Sequence, residues 1–476
     1  MRAKLVAAVG CVSLCVWSNA ATLTFFSGTD EAKSISDDGW KIAGTYDNGE
    51  GFRYTPTTGF ELIGGPGAAT QGDHLRTLGS ALNLRGGMSA NGQYFVGQTI
   101  GQLNQLTYGA LALDTLTLDF PSSDFLTPGD LQAVVVSDVS DSAIAIGNAV
   151  AGNGAFDAYK YDVFAQTRSN LLGLSSSENG FKAEPASVAS IFVGGLRTDI
   201  VVGSSPLASG SSRAVMWNGG ITPTNLGVLS GHSDSYAYDI STDGTTVVGV
   251  NDMNGPSLDQ TGFYWEGAGM VALSHLSSDL HDSSLARGVS ANGDFIVGSS
   301  FQATNFQVGS FEAVLWDSNR NIFSIKNLLL SEGIDVEAMG YDLLQATSIS
   351  ADGRVIIGVG STPSSTVQDP YDVWVVDLGV EVADPLLGDY NDSGQVEQGD
   401  LNLVLNNWGS ATPPIPAGWV NDLPDGFIDQ NELNRVLNNW GNQSAPLTSP
   451  LTVPEPASLL IGGTLFVLLR RRRGDI

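Results

Sequence analysis

The chain repeats one pattern of polar and apolar positions. Residues 290–298 read Ser-Ala-Asn-Gly-Asp-Phe-Ile-Val-Gly, a polar tetrapeptide followed by an apolar run that closes on glycine. Four further clear copies begin at Ser36, Ser89, Ser241 and Ser350. Two less regular copies close on Gly147 and Gly203. Asn-Gly and Asp-Gly are typical of two-residue hairpin turns, in which both central residues have positive φ. Because the apolar run is rich in β-branched residues, each copy predicts a strand, a tight turn and a second strand.

A further short apolar strand follows each closing glycine and often ends on an aromatic residue, as in Gly262-Phe-Tyr-Trp265. The closing glycines are Gly44, Gly97, Gly147, Gly203, Gly249, Gly298 and Gly358. Units of roughly fifty residues with about four strands each are typical of a β-propeller. The pattern therefore predicts a mainly β chain with a seven-bladed propeller over residues 21–380. A β-sandwich or a β-solenoid built from the same hairpins is the alternative.

The first and last units predict how the ring closes. An extra apolar segment, Thr22–Phe26, precedes the first hairpin, whereas the last unit lacks a fourth strand after Val373–Asp377. An unpaired strand edge would favour aggregation. We therefore expect the N-terminal segment to pair with the last unit and complete it.

Over roughly residues 22–378, the succession of Ser350-Ala-Asp-Gly353, Val247-Val-Gly249 and Ala313-Val-Leu-Trp316 motifs resembles the HAF repeats of bacterial surface proteins. The resemblance implies an extracellular propeller. It implies no particular activity, because the family has no agreed one.

Composition narrows the function classes. The 58 glycines and the 15% of charged residues are typical of a turn-rich β protein. With 21 basic and 50 acidic residues, the formal net charge is −29. A phosphate backbone would be repelled, so nucleic acid is excluded as a partner.

The propeller segment shows no catalytic motif. The four histidines (His74, His232, His275 and His281) have no metal-ligand spacing, and no Gly-x-Ser-x-Gly elbow occurs. A glycosidase-like pair of carboxylates remains open, since the sequence singles out no pair. The aromatic residues that end the third strands are interpreted as packing residues rather than sugar-stacking platforms: Trp217, Trp265, Trp316 and Trp374. These observations favour a non-enzymatic protein.

Residues 1–20 predict a secretory signal peptide. A basic start with Arg2 and Lys4 precedes the apolar segment Leu5–Trp17 and the small-residue site Ser18-Asn-Ala20. A lipoprotein acylated at Cys11 is the alternative. The only two cysteines lie in this segment, so the exported chain is expected to have neither disulfides nor a thiol nucleophile.

After a linker at residues 381–387, a second domain is predicted at 388–442. The loop Asp389–Asp400 places oxygen ligands at the spacing that Ca²⁺ prefers, with Gly394 at its sharp bend and Val396 anchoring it to the core. The predicted calcium ligands are Asp389, Asn391, Ser393, Gln395 through its backbone carbonyl, Glu397, often through a water, and Asp400. An unliganded acidic turn is the alternative.

This segment is duplicated. Leu401–Gly409 recurs as Leu433–Gly441, and each copy places Leu, Val, Leu and Trp on one predicted helix face. Two short helices that bury these faces on each other form a small core that a metal helps to hold. A weaker second calcium loop is predicted from Asn421, Asp425, Asp429 and Glu432, because its third position is Leu423, which cannot ligate.

The paired loops and helices resemble a type I dockerin, the calcium-dependent module that docks onto cohesins. The resemblance implies bound Ca²⁺ and a cohesin-like partner. At loop positions 10 and 11, this chain has Gln398-Gly399 and Gln430-Asn431 instead of the family's small hydroxyl pair.

After a spacer at residues 443–452, the tail at 453–476 joins Val453-Pro454-Glu455-Pro456, the apolar run Leu459–Leu469 and four arginines, Arg470–Arg473. It resembles the PEP-CTERM sorting signal and implies cleavage by an exosortase. The apolar run is shorter than the roughly 20 residues of a comfortable membrane span, and the arginines favour the cytoplasmic side. Contact with the inner membrane is therefore expected to be transient. A permanent single-pass anchor is the alternative.

Three function classes follow. The favoured class is a non-enzymatic scaffold, secreted or on the surface of a bacterium. The second is a polysaccharide-binding or polysaccharide-degrading protein, of the glycoside hydrolase or lyase kind, attached through its dockerin. The third is a binding module that holds a glycan or a protein at the propeller mouth.

Overall fold

The computed structural model describes residues 21–46, 50–63, 76–78, 87–100, 107–113, 118–119, 132–150, 156–175, 183–252, 260–276, 281–303, 311–363, 371–378, 390, 395–410, 428, 432–433, 436–437 and 440. The chain divides after Val382 into two compact units. Within the described residues, the first unit contains 28 strands and one helix, and the second unit contains one helix. The chain is therefore mainly β, as predicted.

The strands of the first unit form seven four-stranded antiparallel sheets, numbered here in chain order. Sheet 1 consists of β2 (Thr29–Ile35), β3 (Ile42–Tyr46), β4 (Gly51–Thr55) and β5 (Gly59–Leu62). Sheet 2 consists of β6 (Arg76–Leu78), β7 (Tyr94–Ile100), β8 (Thr107–Leu113) and β9 (Leu118–Asp119). Sheet 3 consists of β10 (Gln132–Val139), β11 (Ile144–Val150), β12 (Phe156–Asp162) and β13 (Thr167–Leu171).

The remaining sheets follow the same order. Sheet 4 consists of β14 (Glu184–Val193), β15 (Leu196–Pro206), β16 (Ser212–Asn218) and β17 (Thr224–Gly227). Sheet 5 consists of β18 (Asp234–Ile240), β19 (Val247–Asp252), β20 (Gln260–Trp265) and β21 (Met270–Ala272). Sheet 6 consists of β22 (Ser283–Val289), β23 (Ile296–Phe301), β24 (Phe311–Trp316) and β25 (Ile322–Ser324). Sheet 7 consists of β26 (Asp342–Ile349), β27 (Val355–Ser361), β28 (Asp372–Asp377) and β1 (Thr22–Phe26).

Each sheet packs against the next, and sheet 7 packs against sheet 1. Six of the sheets are described with most of their side chains, whereas sheet 2 is described mainly through its backbone pairing. The first strands of neighbouring sheets contact each other, as β14 contacts β18 and β18 contacts β22, so these strands are innermost. A propeller is therefore confirmed, and the sandwich and solenoid alternatives are wrong because the succession of sheets returns to its start.

A bulge in the first strand explains the closing glycine of each repeat. In sheet 5, Ala237 pairs with Gly249 and Asp239 pairs with Val248, so Tyr238 is an extra residue. A Cβ atom on Gly249 would lie 2.0 Å from the carbonyl oxygen of Tyr236. Only glycine fits at this approach. The same bulge recurs in five other sheets, with the extra residues Lys33, Ser137, Ala186, Arg287 and Thr347.

The ring closes as predicted, because β1 is the fourth strand of sheet 7. Thr22 pairs with Asp377 and Phe26 pairs with Val373. Leu23 and Phe25 pack into the core, while Thr22 and Thr24 are exposed. The buried Phe26 ring also lies 4.5 Å from the ring of Tyr54 in sheet 1, measured between centroids. The closing strand therefore contributes to the core of the first sheet as well as the last.

One short helix, α1 (Ile325–Ser331), lies between sheets 6 and 7 and was not predicted. The side chain of Ser324 caps it by accepting a hydrogen bond from the amide of Asn327. Ile325 and Leu329 are buried in the core that also holds Trp374. The helix thus covers apolar surface at the sheet 6 to sheet 7 boundary.

Replacing Phe26 by alanine should destabilise the propeller, because the ring packs between the closing strand and sheet 1. The free energy of unfolding is expected to fall by about 3 kcal/mol, measured by chemical or thermal unfolding. Deleting residues 21–26 should lower the melting temperature further and expose the edge of β28. The control is Phe192→Ala, since Phe192 is 44% exposed, and it should change stability by less than about 0.5 kcal/mol. Equal effects of the two alanine variants would contradict this account.

Replacing Gly358 by alanine should also destabilise the propeller. Its Cβ would lie 2.1 Å from the carbonyl oxygen of Gln345 and 2.2 Å from the Trp374 ring. A loss of about 3 kcal/mol is expected for such overpacking, read from the midpoint of denaturant unfolding. Gly220→Ala is the matched control, because a Cβ there would meet nothing closer than 4.0 Å. A Gly358→Ala variant as stable as this control would show that the close approach is not restrictive.

Candidate functional site

The repeated Ser-x-Asp/Asn-Gly turns differ from the predicted two-residue hairpins. In the turn of sheet 5, the amide of Gly244 donates to the carbonyl of Ser241, and the amide of Ser241 donates to the carbonyl of Thr246. Gly244 has φ +73°, whereas Asp243 is not among the residues with positive φ. The prediction that both central residues have positive φ is therefore wrong for these turns. Only the glycine is left-handed.

The acidic or amide side chain acts in these turns as a hydrogen-bond acceptor. The Ser241 hydroxyl donates to Asp243 Oδ1 at 2.6 Å, and the Thr245 amide donates to the same oxygen at 3.0 Å. Asn292 accepts in the same way from the Ser290 hydroxyl at 3.0 Å. This local acceptor role explains why Asp or Asn precedes the glycine. Asp243 and Asn292 therefore have a structural role within their turns.

Turns of neighbouring sheets bond to each other at one end of the ring. The Asp37 amide donates to the carbonyl of Ala90 at 2.7 Å, and the Ala351 amide donates to the carbonyl of Asp37 at 2.9 Å. The Thr242 hydroxyl lies 3.5 Å from a carboxylate oxygen of Asp37. Because Thr242 belongs to sheet 5 and Asp37 to sheet 1, these turns meet across the axis and narrow this end of the ring.

A small polar cavity lies behind these turns. It has a volume of about 40 Å³ and is lined by residues that include Asp138, Ser187 and Asp239. This volume accommodates one or two water molecules, whereas sites for sugars and drug-sized ligands are several hundred Å³. The cavity is therefore suited to water or a small ion and not to a sugar ring.

Two aspartates that line this cavity were not singled out from the sequence. Asp138 accepts a hydrogen bond from the amide of Val188 in the next sheet at 3.0 Å, and Asp239 accepts one from the amide of Val289 in the next sheet at 2.8 Å. Both stand two residues before the serine of a repeat turn, which is the signal that could have found them. Their role in the structure is to join the first strands of adjacent sheets.

Three of the four tryptophans predicted to be packing residues are fully buried: Trp217, Trp316 and Trp374. The Trp217 indole donates to the carbonyl of Leu172 at 2.9 Å, and the Trp316 indole donates to that of Ser274 at 3.0 Å. Trp265 is partly buried. The packing interpretation is confirmed for the three buried rings, which are inaccessible to a sugar.

His281 is the histidine with the most structured surroundings among those described. Its Nδ1 lies 3.0 Å from the Ser300 hydroxyl, and its Nε2 lies 3.8 Å from a carboxylate oxygen of Glu312. Burial lowers the pKa of His281 below its ordinary value, while Glu312 and the bond with Ser300 act in the opposite direction. Lys326 also pairs with Glu312 at 3.3 Å. The cluster is a network of ion pairs and hydrogen bonds around sheet 6.

In the second unit, α2 (Gln398–Asn406) begins at the end of the predicted first calcium loop. Glu397 and Asp400 form a capping box, in which the Glu397 amide donates to Asp400 Oδ2 at 2.8 Å. Of the other predicted ligands, Gln395 is exposed, and so is the Glu397 side chain. Asp400 and Glu432, the last ligands of the two predicted loops, are both fully buried.

Buried carboxylates require compensating partners, which hydrogen bonds or a cation can supply. The two buried positions therefore fit the donor set that a hard cation takes. The remaining predicted ligands lie outside the described residues: Asp389, Asn391, Ser393, Asn421, Asp425 and Asp429. Within the described part of the chain, no group of three His, Cys, Asp or Glu side chains stands close enough to hold a metal.

The described residues of the duplicated segments bury only part of the predicted apolar face. Val404 and Val436 share a core with Tyr390, Val396 and Ile428. Other residues of that predicted face are about half exposed: Leu405, Trp408, Leu437 and Trp440. The prediction that the whole face is buried is wrong, because the loop residues Tyr390, Val396 and Ile428 fill the core beside the two valines.

The predicted signal peptide and the predicted sorting residues Val453, Pro454, Glu455 and Pro456 lie outside the described residues, as does His74. Among the helices that the structure describes, none has the length and apolar character needed to cross a membrane.

No protein-family model matches the chain, and no curated protein matches it. Similar solved structures include that of U3-55K, at 10% identity over 75% of this chain and 98% of the other, with a TM-score of 0.43. The Dos1 propeller is similar at 12% identity over 73% of this chain and 78% of the other, with a TM-score of 0.38. An oligogalacturonate lyase from Vibrio parahaemolyticus is similar at 11% identity over 75% and 97%, with a TM-score of 0.43.

The lowered pKa of His281 should make the propeller less stable in mild acid. Since its folded-state pKa lies below that of an exposed imidazole, about 6.5, the unfolded chain binds more protons as the pH falls below that value. Stability is therefore present above about pH 6.5 and is lost on acidification. His281→Gln should reduce the fall in melting temperature between about pH 7 and pH 5.5, whereas His275→Gln, at an exposed position, should not. An unchanged pH dependence in His281→Gln would refute this assignment.

Proposed function

We propose that the protein is an exported, non-enzymatic scaffold of the bacterial surface or extracellular matrix. The observation that carries this proposal is the propeller with its last sheet completed by its own N-terminal strand. In this arrangement the last sheet has four strands like the others, and β28 is paired on both sides. This arrangement supports display outside the cell without disulfides, because the stability comes from packing between sheets.

What supports a scaffold role is the use that the structure makes of its conspicuous side chains. The repeat carboxylates and amides are acceptors within turns, as Asp243 is. The cavity-lining aspartates Asp138 and Asp239 join adjacent sheets. The buried tryptophans fill the spaces between sheets, as Trp316 does in the core shared by sheets 5 and 6.

The second unit is proposed to be a calcium-held dockerin-like module. Support comes from the common core of Val404 and Val436 and from burial of Asp400 and Glu432 at equivalent loop positions. Ca²⁺ would be held by the first loop, through Asp389, Asn391, Ser393, Gln395, Glu397 and Asp400. Bound Ca²⁺ would neutralise carboxylates there that otherwise repel one another. A cohesin-like protein or an extracellular polysaccharide is the proposed partner.

The proposed route to the cell surface uses both chain ends. A signal peptide at residues 1–20 would direct export, and the tail at 453–476 would hold the chain at the inner membrane until an exosortase-type enzyme cuts near Pro454-Glu455-Pro456. Mass spectrometry of the mature protein from its native host would show both processed ends. An intact tail in the mature protein would favour the permanent anchor instead.

Enzymatic action on polysaccharide is the alternative function. It is tested by incubating the full chain with neutral and acidic glycans and measuring new reducing ends and unsaturated products. Turnover of any of these glycans would replace the scaffold proposal with a hydrolase or a lyase. Binding without turnover would support the scaffold and identify its partner.

Ca²⁺ should stabilise the second unit. Titration of the full chain is expected to show Ca²⁺ binding by calorimetry, and at about a hundredfold excess over the dissociation constant the unit should gain about 2.7 kcal/mol of stability. Asp389→Ala should abolish both effects at the first loop. Glu332→Gln, which removes an exposed acidic side chain of the propeller, is the control and should leave them unchanged. Equal stability in chelator and in Ca²⁺ would reject the calcium proposal.

A further inference from the structure

Two equivalent bulge residues of neighbouring sheets meet near the axis of the ring. Tyr238 is the extra residue of β18, and Arg287 is the extra residue of β22. The guanidinium carbon of Arg287 lies 4.9 Å from the centroid of the Tyr238 ring. Because β18 and β22 are innermost strands in contact with each other, this pair lies on the inner side of sheets 5 and 6.

The Arg287 guanidinium has no anionic partner in the part of the chain that the structure describes. None of the described residues forms a hydrogen bond or an ion pair with it, and its buried Nε lacks an acceptor. Burial lowers the pKa of Arg287, and Tyr238 is the one group that opposes this effect. Arg287 is partly buried, and removing a charge from water without a partner is costly. Such a charge is also unexpected in a chain with 50 acidic and 21 basic residues.

Another arginine of the same propeller shows the usual arrangement. The guanidinium carbon of Arg320 lies 4.8 Å from the centroid of the Tyr264 ring, close to the 4.9 Å of the Arg287 pair. Its guanidinium also pairs with the Glu266 carboxylate and donates to the carbonyl of Gly293 at 2.9 Å. Among the described residues, Arg287 has neither such a carboxylate nor such a carbonyl acceptor.

The surroundings of Arg287 select for one negative charge. Tyr238 packs with Val250, Leu285 and Phe301, so the environment is largely apolar and strengthens electrostatic attraction. Burial raises the pKa of Tyr238, Arg287 lowers it, and Asp252 and Glu184 raise it further. The Asp252 and Glu184 carboxylates oppose every added anion, and they oppose a dianion such as phosphate or sulfate more strongly than a monocarboxylate.

We propose that Arg287 and Tyr238 form a binding site for a single carboxylate group. The planar guanidinium can donate two parallel hydrogen bonds to a carboxylate. The Tyr238 hydroxyl, which forms no hydrogen bond with a described residue, supplies a further donor. The carboxylate belongs either to a small free acid or to an acidic sugar. The site does not depend on the scaffold function proposed above.

Calorimetry and thermal unfolding of the full chain test the site with four sodium salts at equal ionic strength: acetate, glucuronate, phosphate and chloride. Acetate and glucuronate should bind and raise the melting temperature, whereas phosphate and chloride should not. Equal affinities for the two carboxylates would identify the isolated carboxylate as the ligand. Tighter binding of glucuronate would identify an acidic sugar. Absence of binding by both carboxylates overturns the proposal.

Variants locate the site. Arg287→Gln should weaken carboxylate binding by roughly 100-fold, and Tyr238→Phe by about tenfold. Arg320→Gln is the matched control, because it removes an arginine with the same stacking that already has a carboxylate, and it should bind like the wild type. Undiminished binding by Arg287→Gln overturns the proposal.

Arg287→Lys replaces Arg287→Gln if the latter does not fold. It keeps the charge but loses the two-pronged donor, so carboxylate binding should fall while the far-ultraviolet circular dichroism stays the same. Binding equal to that of the wild type in a folded Arg287→Lys variant would also overturn the site.

Discussion

The pairing of β1 with β28 is the constraint on which the propeller depends. Each sheet of the first unit is covered on its faces by its two neighbours, so the first and last sheets are protected only if the ring closes. Closure joins residues from opposite ends of the unit, as in the pairs Thr22–Asp377 and Phe26–Val373. Joining distant parts of the chain costs conformational entropy. Backbone hydrogen bonds and the burial of Phe26 against Tyr54 offset this cost.

A second constraint acts within each sheet. The bulge in the first strand moves a carbonyl group into the space that a Cβ would occupy on the second strand, as at Gly298, where the distance to the Leu285 oxygen would be 1.9 Å. The glycine is therefore a consequence of the bulge. The bulge also inserts one extra residue on the innermost strand. Most of the extra residues in these bulges are small or form ion pairs. Tyr238 and Arg287 are larger and contact each other on the inner side of sheets 5 and 6. The proposed carboxylate site therefore arises from the bulge that the repeats share.

The two units suit different tasks. In the first unit, conspicuous polar residues such as Asp243 and Asp239 hold turns and neighbouring sheets together, which suits a rigid scaffold. In the second unit, the core is small and two carboxylates, Asp400 and Glu432, are buried. A small core benefits from a bound cation because metal binding adds to the free energy of folding. A rigid ring is consistent with the scaffold role proposed above, and the small core is consistent with the proposed calcium-held module.

The sequence by itself determined the repeat, the propeller, the closing role of Thr22–Phe26 and the burial of Trp217, Trp316 and Trp374. These follow from the alternation of polar turns with apolar strands and from the number of strands in each unit. Neighbouring residues specify both features. The prediction for the turns was wrong. An aspartate before glycine can adopt a left-handed backbone or can accept hydrogen bonds through its side chain, and Asp243 does the second. The prediction for Leu405 and Trp408 was also wrong, because an apolar helix face does not reveal how much surface its small partner can cover. Only the tertiary structure brought Arg287 to Tyr238 and Asp239 to Val289. Such contacts join different repeats, and they depend on the curvature of the ring, which no local pattern encodes.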